Sequence, residues 1–409
     1  MSSATEGTEN TEIMNSLKNG FGLRHRRRSR YLLPILCVLC ALCVSLSAQD
    51  FRTVHDGIEY AEVAREISGQ QVKMNLLRLD LTKVRLDVVH AMDAAIGTEK
   101  TSSIATRHGA VAAINAGFFR LDNSIFAGDA AGLLMINGKL LSEGIPGRSS
   151  VWMSEVDGRT FVNFGKQILI GRVRINGEVR ALSGIDRERK PGELLQFTPE
   201  FGPTTLTDDN GTEIVVERDR IRSINVNKGN SLIPKDGFVL SGSGNFAIDL
   251  RNFKAKQRIE FGIQLFNLES FKKGETRPNT KFPGYDIVGG IPLLIKDGQV
   301  DVTWEQEKTT RSFVETRHPR TAVAKLKDGK FLMITVDGRS ESSGGIGLYD
   351  LANYLLELGA TDAMNLDGGG STTMFLDGKV VNHPSDKEGE RKVSDAILVT
   401  LRSNGAVKK

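Results

Sequence analysis

The body of this chain contains no cysteine. All three cysteines, Cys37, Cys40 and Cys43, lie within the first 48 of its 409 residues, inside an uncharged apolar run. From Gln49 onward the sequence therefore excludes disulfides, a thiolate nucleophile and cysteine-ligated zinc. The three-residue spacing resembles a metal motif, but its apolar surroundings favour a lipid-facing segment instead.

Several catalytic motifs are also missing. The six histidines form no His-x-x-x-His pair, which disfavours a zinc hydrolase. There is no Gly-x-Ser-x-Gly elbow of the α/β-hydrolase type, and the glycine-rich stretches lack the Lys-Ser/Thr of a P-loop. Two tryptophans are few for a protein that only binds glycans by stacking.

Net charge is low once the N-terminus is set aside. The formal charge of the whole chain is +4, and most of it comes from a basic cluster before residue 31. The remaining chain is nearly neutral, so the composition gives no reason to expect a nucleic-acid partner.

The N-terminal segment has the layout of an export signal. A cluster of five arginines between Arg24 and Arg30 precedes an uncharged run, Tyr31–Ala48, with small residues before Gln49. We interpret residues 1–48 as a signal peptide, or alternatively as a signal anchor that would be the protein's one link to a membrane. A large exported protein without disulfides is typical of a bacterial periplasm, cell envelope or extracellular space.

Turn signals dominate the rest of the chain and predict hairpins. Asn-Gly and Asp-Gly pairs favour type I′ turns, whose twist matches antiparallel strands. Six such pairs separate apolar runs: Asn137-Gly138, Asp157-Gly158, Asn176-Gly177, Asp297-Gly298, Asp328-Gly329 and Asp377-Gly378. We therefore predict an α+β, β-rich fold with a mixed or antiparallel sheet core and few helices.

Two segments have helical character, and one region differs in composition. Thr101–His108 and Leu348–Leu358 are predicted helices, the second from its i, i+3, i+4, i+7 apolar stripe before Gly359. We expect a β-rich lead-in at 49–99, one main domain at 100–400 with a β-rich insertion at about 178–280, and a tail at 401–409.

Three polar stretches close apolar runs, where a sheet would place a site. The first is 115–119, the second consists of 317–322 together with 337–341, and the third is 365–373. Asp337 and Glu341 are two carboxylates near one strand end, which suits glycosidic cleavage, and Arg320 and Arg339 suit a phosphate. A surface salt-bridge cluster is the alternative. The Gly368–Gly370 run predicts either an anion-binding nest or a tight turn.

These stretches resemble the phosphodiester glycosidase family, which includes N-acetylglucosamine-1-phosphodiester α-N-acetylglucosaminidase and bacterial exported relatives. The resemblance covers roughly residues 100–400. It rests on INAGFF (114–119), IVGGIPLLIKDG (287–298), RTAVA (320–324), VDGRSESSGG (336–345), LANYLLELGATDAMNLDGGGSTTM (351–374) and NHPSD with RKVSDAI (382–397). Ala116 stands where the family often has a second glycine, and the cysteine-rich modules of the animal enzyme are absent.

The resemblance implies a hydrolase that cleaves the glycosidic C–O bond of a sugar-1-phosphodiester, releasing the sugar and a phosphomonoester. Asp337, Glu341 and Asp367 are then the candidate catalytic carboxylates. The substrate and phosphate would be bound by a larger set: Asn115, Arg320, Thr321, Arg339, Asn365, Gly368, Gly369, Gly370, Ser371 and Thr372. No cofactor is required, although a divalent cation, Ca²⁺ or Mg²⁺, held by Asp367 stays open.

The expected substrates are envelope or exopolysaccharide glycans. An alternative of another class is a non-catalytic glycan-binding or exopolysaccharide-assembly protein on the same fold. Only catalysis requires carboxylates and arginines to converge, so Asn115, Arg320, Asp337 and Asp367 should line one cleft.

Overall fold

The structure is a computed structural model that describes residues 50–175, 177–274 and 285–402. The predicted leader, Asn176 of one predicted turn and the tail from residue 403 onward lie outside these ranges. From residue 50 the chain folds as one compact unit. No helix within the described ranges is both long and apolar enough to cross a bilayer.

The five Asn-Gly and Asp-Gly pairs that the structure describes in full form hairpin turns as predicted. Both residues of the turn have positive φ in four of these five pairs, those beginning at Asn137, Asp157, Asp297 and Asp377. Positive φ at both central residues defines a type I′ turn. Each of these turns joins two antiparallel strands, and the strands flanking residues 328–329 pair as well.

Sheet A has eight strands, all antiparallel to their neighbours. In order across the sheet they are β1 (Arg52–His55), β2 (Ile58–Ile67), β3 (Gln70–Leu79), β22 (Phe331–Val336), β21 (Arg320–Leu326), β23 (Ala360–Asn365), β19 (Leu293–Lys296) and β20 (Gln299–Val300). The polar stretches at 317–322, 337–341 and 365–373 adjoin its three central strands.

Sheet B has five antiparallel strands and carries the first polar stretch. Across the sheet they are β25 (Lys379–Val380), β24 (Met374–Leu376), β6 (Ala112–Asn115), β27 (Asp395–Leu401) and β4 (Val84–His90). The chain leaves sheet A at Asn365 and enters sheet B at Met374, so the glycine-rich segment between them joins the two sheets.

Sheet C contains seven strands. Across the sheet they are β11 (Glu178–Ala181), β10 (Arg159–Ile175), β9 (Ser149–Val156), β18 (Tyr285–Gly290), β7 (Leu134–Ile136) and β8 (Lys139–Ser142), while β17 (Glu260–Asn267) also pairs with β10. The long strand β10 pairs with β9 along its first half and with β17 along its second.

Sheet D lies within the region predicted as an insertion. Its five strands are β12 (Gly184–Ile185), β13 (Leu194–Phe197), β16 (Gly237–Gly242), β14 (Thr212–Glu217) and β15 (Arg220–Val226). β12 and β13 are parallel and the others antiparallel, so the sheets are mixed or antiparallel as predicted. A two-stranded ribbon pairs β5 (Glu99–Lys100) with β26 (Lys392–Val393). The domain boundaries themselves stay a prediction.

Helices are short among the described residues. They are α1 (Thr101–Arg107), α2 (Asn245–Leu250), α3 (Leu268–Lys272), α4 (Arg311–Glu315) and α5 (Leu348–Glu357). α1 and α5 confirm the two predicted helices. α5 is followed by Gly359 with φ 88°, a left-handed residue of the kind that commonly terminates a helix.

Sheet A is buried on both faces, which explains its uninterrupted apolar runs. On one face Leu77, Val323 and Met333 pack with residues of sheets B and C. On the other face Ala322 and Ile334 pack with the apolar stripe of α5. A strand covered on both sides is expected to be largely apolar, and all six residues of β22 are buried, five of them apolar and one a threonine, Thr335.

Candidate active site

Asn115 joins all three polar stretches. It is fully buried, its Nδ2 donates to the Asp367 carbonyl at 2.7 Å, and its Oδ1 accepts from Thr321 Oγ1 at 2.7 Å and Thr373 N at 3.1 Å. The three stretches therefore meet, but Asn115 is fully buried and does not line a cleft as the sequence predicted. Because these bonds occupy its amide, Asn115 holds the stretches together from beneath rather than facing a substrate.

Main-chain hydrogen bonds fix the glycine-rich segment between the sheets. Leu366 N donates to the Thr321 carbonyl, and Asp367 N donates to the Ala116 carbonyl, both at 2.9 Å. Gly369 N donates to the Pro319 carbonyl at 2.8 Å. The segment thus lies between the end of β6 and the start of β21, which places Gly368 beside Arg320.

Arg320 is a buried cation without an acidic partner. Only 2% of its surface is exposed, and its guanidinium donates to three backbone carbonyls, those of Phe313, Thr316 and Ile346. No carboxylate among the described residues forms an ion pair with it. Burial lowers the pKa of Arg320 to about 10, and the nearby charge of Arg339 acts in the same direction. A buried cation in this state favours an anion beside it.

A second arginine approaches the same loop from solvent. Arg339 is exposed and adopts a φ of 60°, and its only polar partner among the described residues is Ser385 Oγ at 3.4 Å from Nη1. A Cβ on Gly369 would lie 3.0 Å from Arg339 Nη2, and one on Gly368 would lie 3.7 Å from Arg320 Cδ. The two arginines therefore flank the Gly368–Gly369 peptide.

Asp367 provides a carboxylate at the start of the glycine-rich segment. Burial raises the pKa of Asp367 to about 6, against the opposing effects of Ser371, the Gly368 amide and Arg391. Its Oδ1 accepts from Gly368 N at 2.9 Å. A carboxyl group that titrates near neutral pH can act either as a proton donor or as an anion.

Asp337 provides a second carboxylate, which is buried and tied to the third stretch through Asn382. Its Oδ1 accepts from His383 N at 2.9 Å and from Asn382 Nδ2 at 3.4 Å, and Asn382 Nδ2 also donates to the Thr372 carbonyl at 3.0 Å. Burial raises the pKa of Asp337 above its ordinary value, although these hydrogen bonds oppose the change.

Glu341 does not join this group. It lies exposed in the turn formed by Ser340 and Ser343, and no hydrogen bond or ion pair of its carboxylate occurs within the described residues. Its sequence spacing from Asp337 suggested a carboxylate pair. The bend after β22 instead leaves Asp337 buried and Glu341 in solvent.

The glycine run is built for close approach more than for anion binding. Gly368 N and Gly369 N are already occupied by Asp367 Oδ1 and the Pro319 carbonyl, which removes two of the three amides expected to form a nest. A Cβ on Gly370 would come within 2.2 Å of the Arg391–Asp386 ion pair. The glycines therefore let other chain segments reach the site.

Polar atoms without partners surround this loop. The Thr372 and Thr373 hydroxyls and Asn365 Oδ1 are buried and have no hydrogen-bond partner in the described structure. Asn365 Nδ2 donates to the Ile291 carbonyl at 2.6 Å, and Thr321 is engaged by Asn115. Buried polar groups are usually satisfied, so such a concentration of unsatisfied groups marks a place where ligand or water binds.

Sequence reasoning did not assign site roles to Asn382, Asp386, Arg391, Phe118 or Phe313. The first three lie in the NHPSD and RKVSDAI segments, whose polar residues were the available signal. The Phe313 ring lies against the Arg320 guanidinium, 5.0 Å from ring centroid to Cζ, and Phe118 lies 6.2 Å from Phe313 between ring centroids. Two partly exposed rings therefore extend the site on the side of Arg320.

No group of three or more His, Cys, Asp or Glu side chains in the described part of the chain is arranged to hold a metal ion. His318 stands near both arginines, and burial lowers its pKa, with Arg320 and Arg339 adding to the effect. The charges assembled at the site are thus two arginines against two carboxylates whose pKa values are raised.

The β-rich fold has known counterparts. Residues 210–400 match the family described as phosphodiester glycosidase, which confirms the resemblance for that part of the chain. A solved structure of a hypothetical protein from Synechocystis has a TM-score of 0.72 and 23% identity, covering 88% of this chain and 64% of that one. That likeness shows a shared fold.

Two curated relatives match over shorter segments. The N-acetylglucosamine-1-phosphodiester alpha-N-acetylglucosaminidase of Bos taurus is 32% identical over 141 residues, which cover 32% of this chain and 27% of that protein. The SPbeta prophage-derived uncharacterized protein YomE of Bacillus subtilis (strain 168) is 38% identical over 107 residues, covering 26% of this chain and 16% of the relative. The matches thus span less than a third of either relative.

Proposed function

We propose that this chain hydrolyses sugar-1-phosphodiesters by cleaving the glycosidic C–O bond, releasing the sugar and a phosphomonoester. The observation that carries the proposal is Arg320, a buried guanidinium with no acidic partner in the described structure, which lies against the glycine-rich segment at Gly368. The family match over residues 210–400 and the name of the bovine relative support the same reaction.

The phosphate is bound between the two arginines. Arg320 is fixed by three carbonyls, so its remaining N–H groups are oriented in advance, while Arg339 reaches the same loop from the solvent side. Guanidinium groups bind phosphate oxygens in pairs, which gives both charge and direction. The positive charge comes from the protein itself, so the reaction requires no divalent cation and turnover survives treatment with EDTA.

Bond cleavage is assisted by the leaving group. A phosphomonoester has a second pKa of roughly 6, so it departs with little need for a strong general acid. Arg320 and Arg339 stabilise the negative charge that grows on the phosphate as the C–O bond breaks. This division suits a site in which Arg320 is fixed by three carbonyls and the pKa of Asp367 is raised to about 6.

The carboxylates act at the sugar. Asp367, which is half-buried, and Asp337, which is buried, either stabilise the oxocarbenium-like centre, activate water or form a glycosyl intermediate. Desolvation strengthens each of these interactions because the local dielectric is low. Glu341 is exposed and takes no part in the step.

The proposed location is outside the cytoplasm of a bacterium, in the periplasm, envelope or medium, with envelope or exopolysaccharide glycans as substrates. The arginine cluster and the Tyr31–Ala48 run support export. Mass spectrometry of the protein from its host should find a mature N-terminus near Gln49. An intact N-terminus on a cytoplasmic protein would contradict export.

Turnover on a panel of methyl esters of sugar 1-phosphates tests the reaction. We expect release of free sugar and methyl phosphate by the purified chain, with or without EDTA. If no member of the panel is hydrolysed and glycans nevertheless bind, the chain is instead a glycan-binding or polysaccharide-assembly protein, and the proposal fails.

A further inference from the structure

Phe118 also lines a cleft whose walls include neither Arg320 nor Arg339. Its cavity volume is about 20 Å³, next to a space that is open to solvent. Its walls are mostly glycine and apolar side chains, including Gly144, Ile145, Gly289 and Ile291. Such a cleft admits a small substituent rather than a second sugar ring.

Two residues that line the cleft contact residues of the proposed active site. Phe118 lines it and contacts Phe313, whose ring lies against Arg320. Ile291 lines it too, and its carbonyl accepts from Asn365 Nδ2 at 2.6 Å. A sugar held beside Asp367 can therefore place a substituent in this space.

Arg148 is the single charged residue that lines the cleft. It forms no ion pair with any carboxylate in the described residues, and its Nε donates weakly to the Glu307 backbone carbonyl at 3.4 Å. The Glu307 carboxylate is buried and already accepts from Ser149, Leu293 N and Thr303. Glu307 Oε1 also lies 3.8 Å from Lys166 Nζ, so the Glu307 carboxylate pairs with Lys166 and not with Arg148.

Gln167 adds an unsatisfied donor. It is 7% exposed, and its Nε2 is buried with no hydrogen-bond partner within the described structure. A buried amide N–H₂ without a partner is unfavourable because it has lost its hydrogen bonds to water. An acceptor atom of a ligand would replace them. Together Arg148 and Gln167 offer donors and a positive charge, with no acid on the wall of the cleft.

We propose that this cleft is a subsite for a carboxylate substituent of the substrate, so that the chain prefers acidic sugars of the uronate type. The proposal rests on the proposed function for the position of the sugar ring. Arg148 and Gln167 act as specificity-determining residues, and Phe118 forms the wall between subsite and phosphate site.

Two matched substrates test this on the full-length protein. They are the methyl phosphodiesters of α-D-glucuronic acid 1-phosphate and α-D-glucose 1-phosphate, compared by kcat/KM. We expect the uronate to be favoured by about 10-fold or more, as a charge-assisted hydrogen bond allows. In Arg148→Gln the preference should fall towards unity through KM, whereas Arg258→Gln, an exposed arginine in the insertion, should keep it.

A binding measurement separates the subsite from the reaction. Saturation-transfer NMR should show that methyl α-D-glucuronide binds more tightly than methyl α-D-glucoside. Uronide binding that Arg148→Gln removes, without turnover of any phosphodiester, supports the subsite and overturns the proposed function. Turnover of both phosphodiesters at equal efficiency, with no selective uronide binding, overturns the subsite alone. The wild-type comparison decides the matter even if the variant does not fold.

Discussion

Asn115 and Thr321 are 206 positions apart in the chain, yet a 2.7 Å hydrogen bond joins Thr321 Oγ1 to Asn115 Oδ1 in the buried floor of the site. This contact ties the end of β6 in sheet B to the start of β21 in sheet A. The amide of Asn115 then holds the Asp367 carbonyl. The position of the glycine-rich segment is therefore set by a residue that we do not expect to touch the substrate.

Asn115→Ala should destabilise the protein. The change removes an amide N–H that donates one hydrogen bond and an amide oxygen that accepts two, all in a fully buried position. Thr321 Oγ1 and Thr373 N then lose their acceptor. We expect a loss of about 2–4 kcal/mol in the free energy of unfolding. Urea denaturation measures this, with Asn123→Ala in an exposed loop as the control. Loss of activity at unchanged stability would mean that Asn115 contacts substrate.

Asp367→Asn should lower activity and raise stability together. Because Asp367 is a proposed catalytic carboxylate, its replacement should reduce turnover about 100-fold or more. Its folded pKa of about 6 lies above the unfolded value, so the folded state holds an extra proton between these pKa values. The contribution of Asp367 to the free energy of unfolding therefore falls by about 1–3 kcal/mol as the pH rises from about 4 to about 6.

The variant should consequently be more stable than the wild type at pH 8 and equal to it near pH 4. Thermal unfolding at the two pH values checks this, with exposed Asp301→Asn as the control for removal of a carboxylate. A variant less stable than the wild type at pH 8 would show that the charged form of Asp367 is stabilised in the fold.

Asp337→Asn and Glu341→Gln should behave differently although the residues are four positions apart. Asp337 is buried against Asn382 and the His383 amide, whereas Glu341 is in solvent. We expect a loss of about 100-fold in kcat for the first and a change within about threefold for the second. Equal losses in the two variants would restore the carboxylate pair expected from the sequence.

Arg320→Lys should separate phosphate recognition from sugar chemistry. Lysine keeps a positive charge but lacks the planar fork that binds two phosphate oxygens. We expect kcat/KM on a sugar-1-phosphodiester to fall about 10-fold more than on an aryl glycoside, which presents no phosphate. The exposed Arg258→Lys serves as the matched control. Equal losses on both substrates would place Arg320 in the structure of the loop rather than at the phosphate.

Local chemistry predicted much of the fold. The Asn-Gly and Asp-Gly turns formed hairpins because positive φ at both residues is a property of the dipeptide itself, and the apolar stripe of Leu348–Glu357 formed a helix. The three polar stretches could be located because each closes an apolar run. These signals are all contained within about ten neighbouring residues.

The details of the site depended on residues that are distant in sequence. Nothing near Asp337 indicates that Asn382 and the His383 amide will bind it, and nothing near Gly370 indicates that Arg391 and Asp386 will lie against it. The glycine run therefore resembled an anion nest in sequence although two of its amides bind the protein. Glu341 shows the opposite error, since one bend after a strand is enough to separate two nearby carboxylates.

The most direct test of the account is the position of bond cleavage. The purified chain would hydrolyse the methyl ester of a sugar 1-phosphate in ¹⁸O-labelled water, and mass spectrometry would locate the label. Attack at the sugar, assisted by Asp367 and Asp337 with the phosphate held by Arg320, predicts ¹⁸O in the anomeric hydroxyl and none in methyl phosphate. Label in the phosphate would mean that the P–O bond breaks, and it would contradict the glycosidase mechanism.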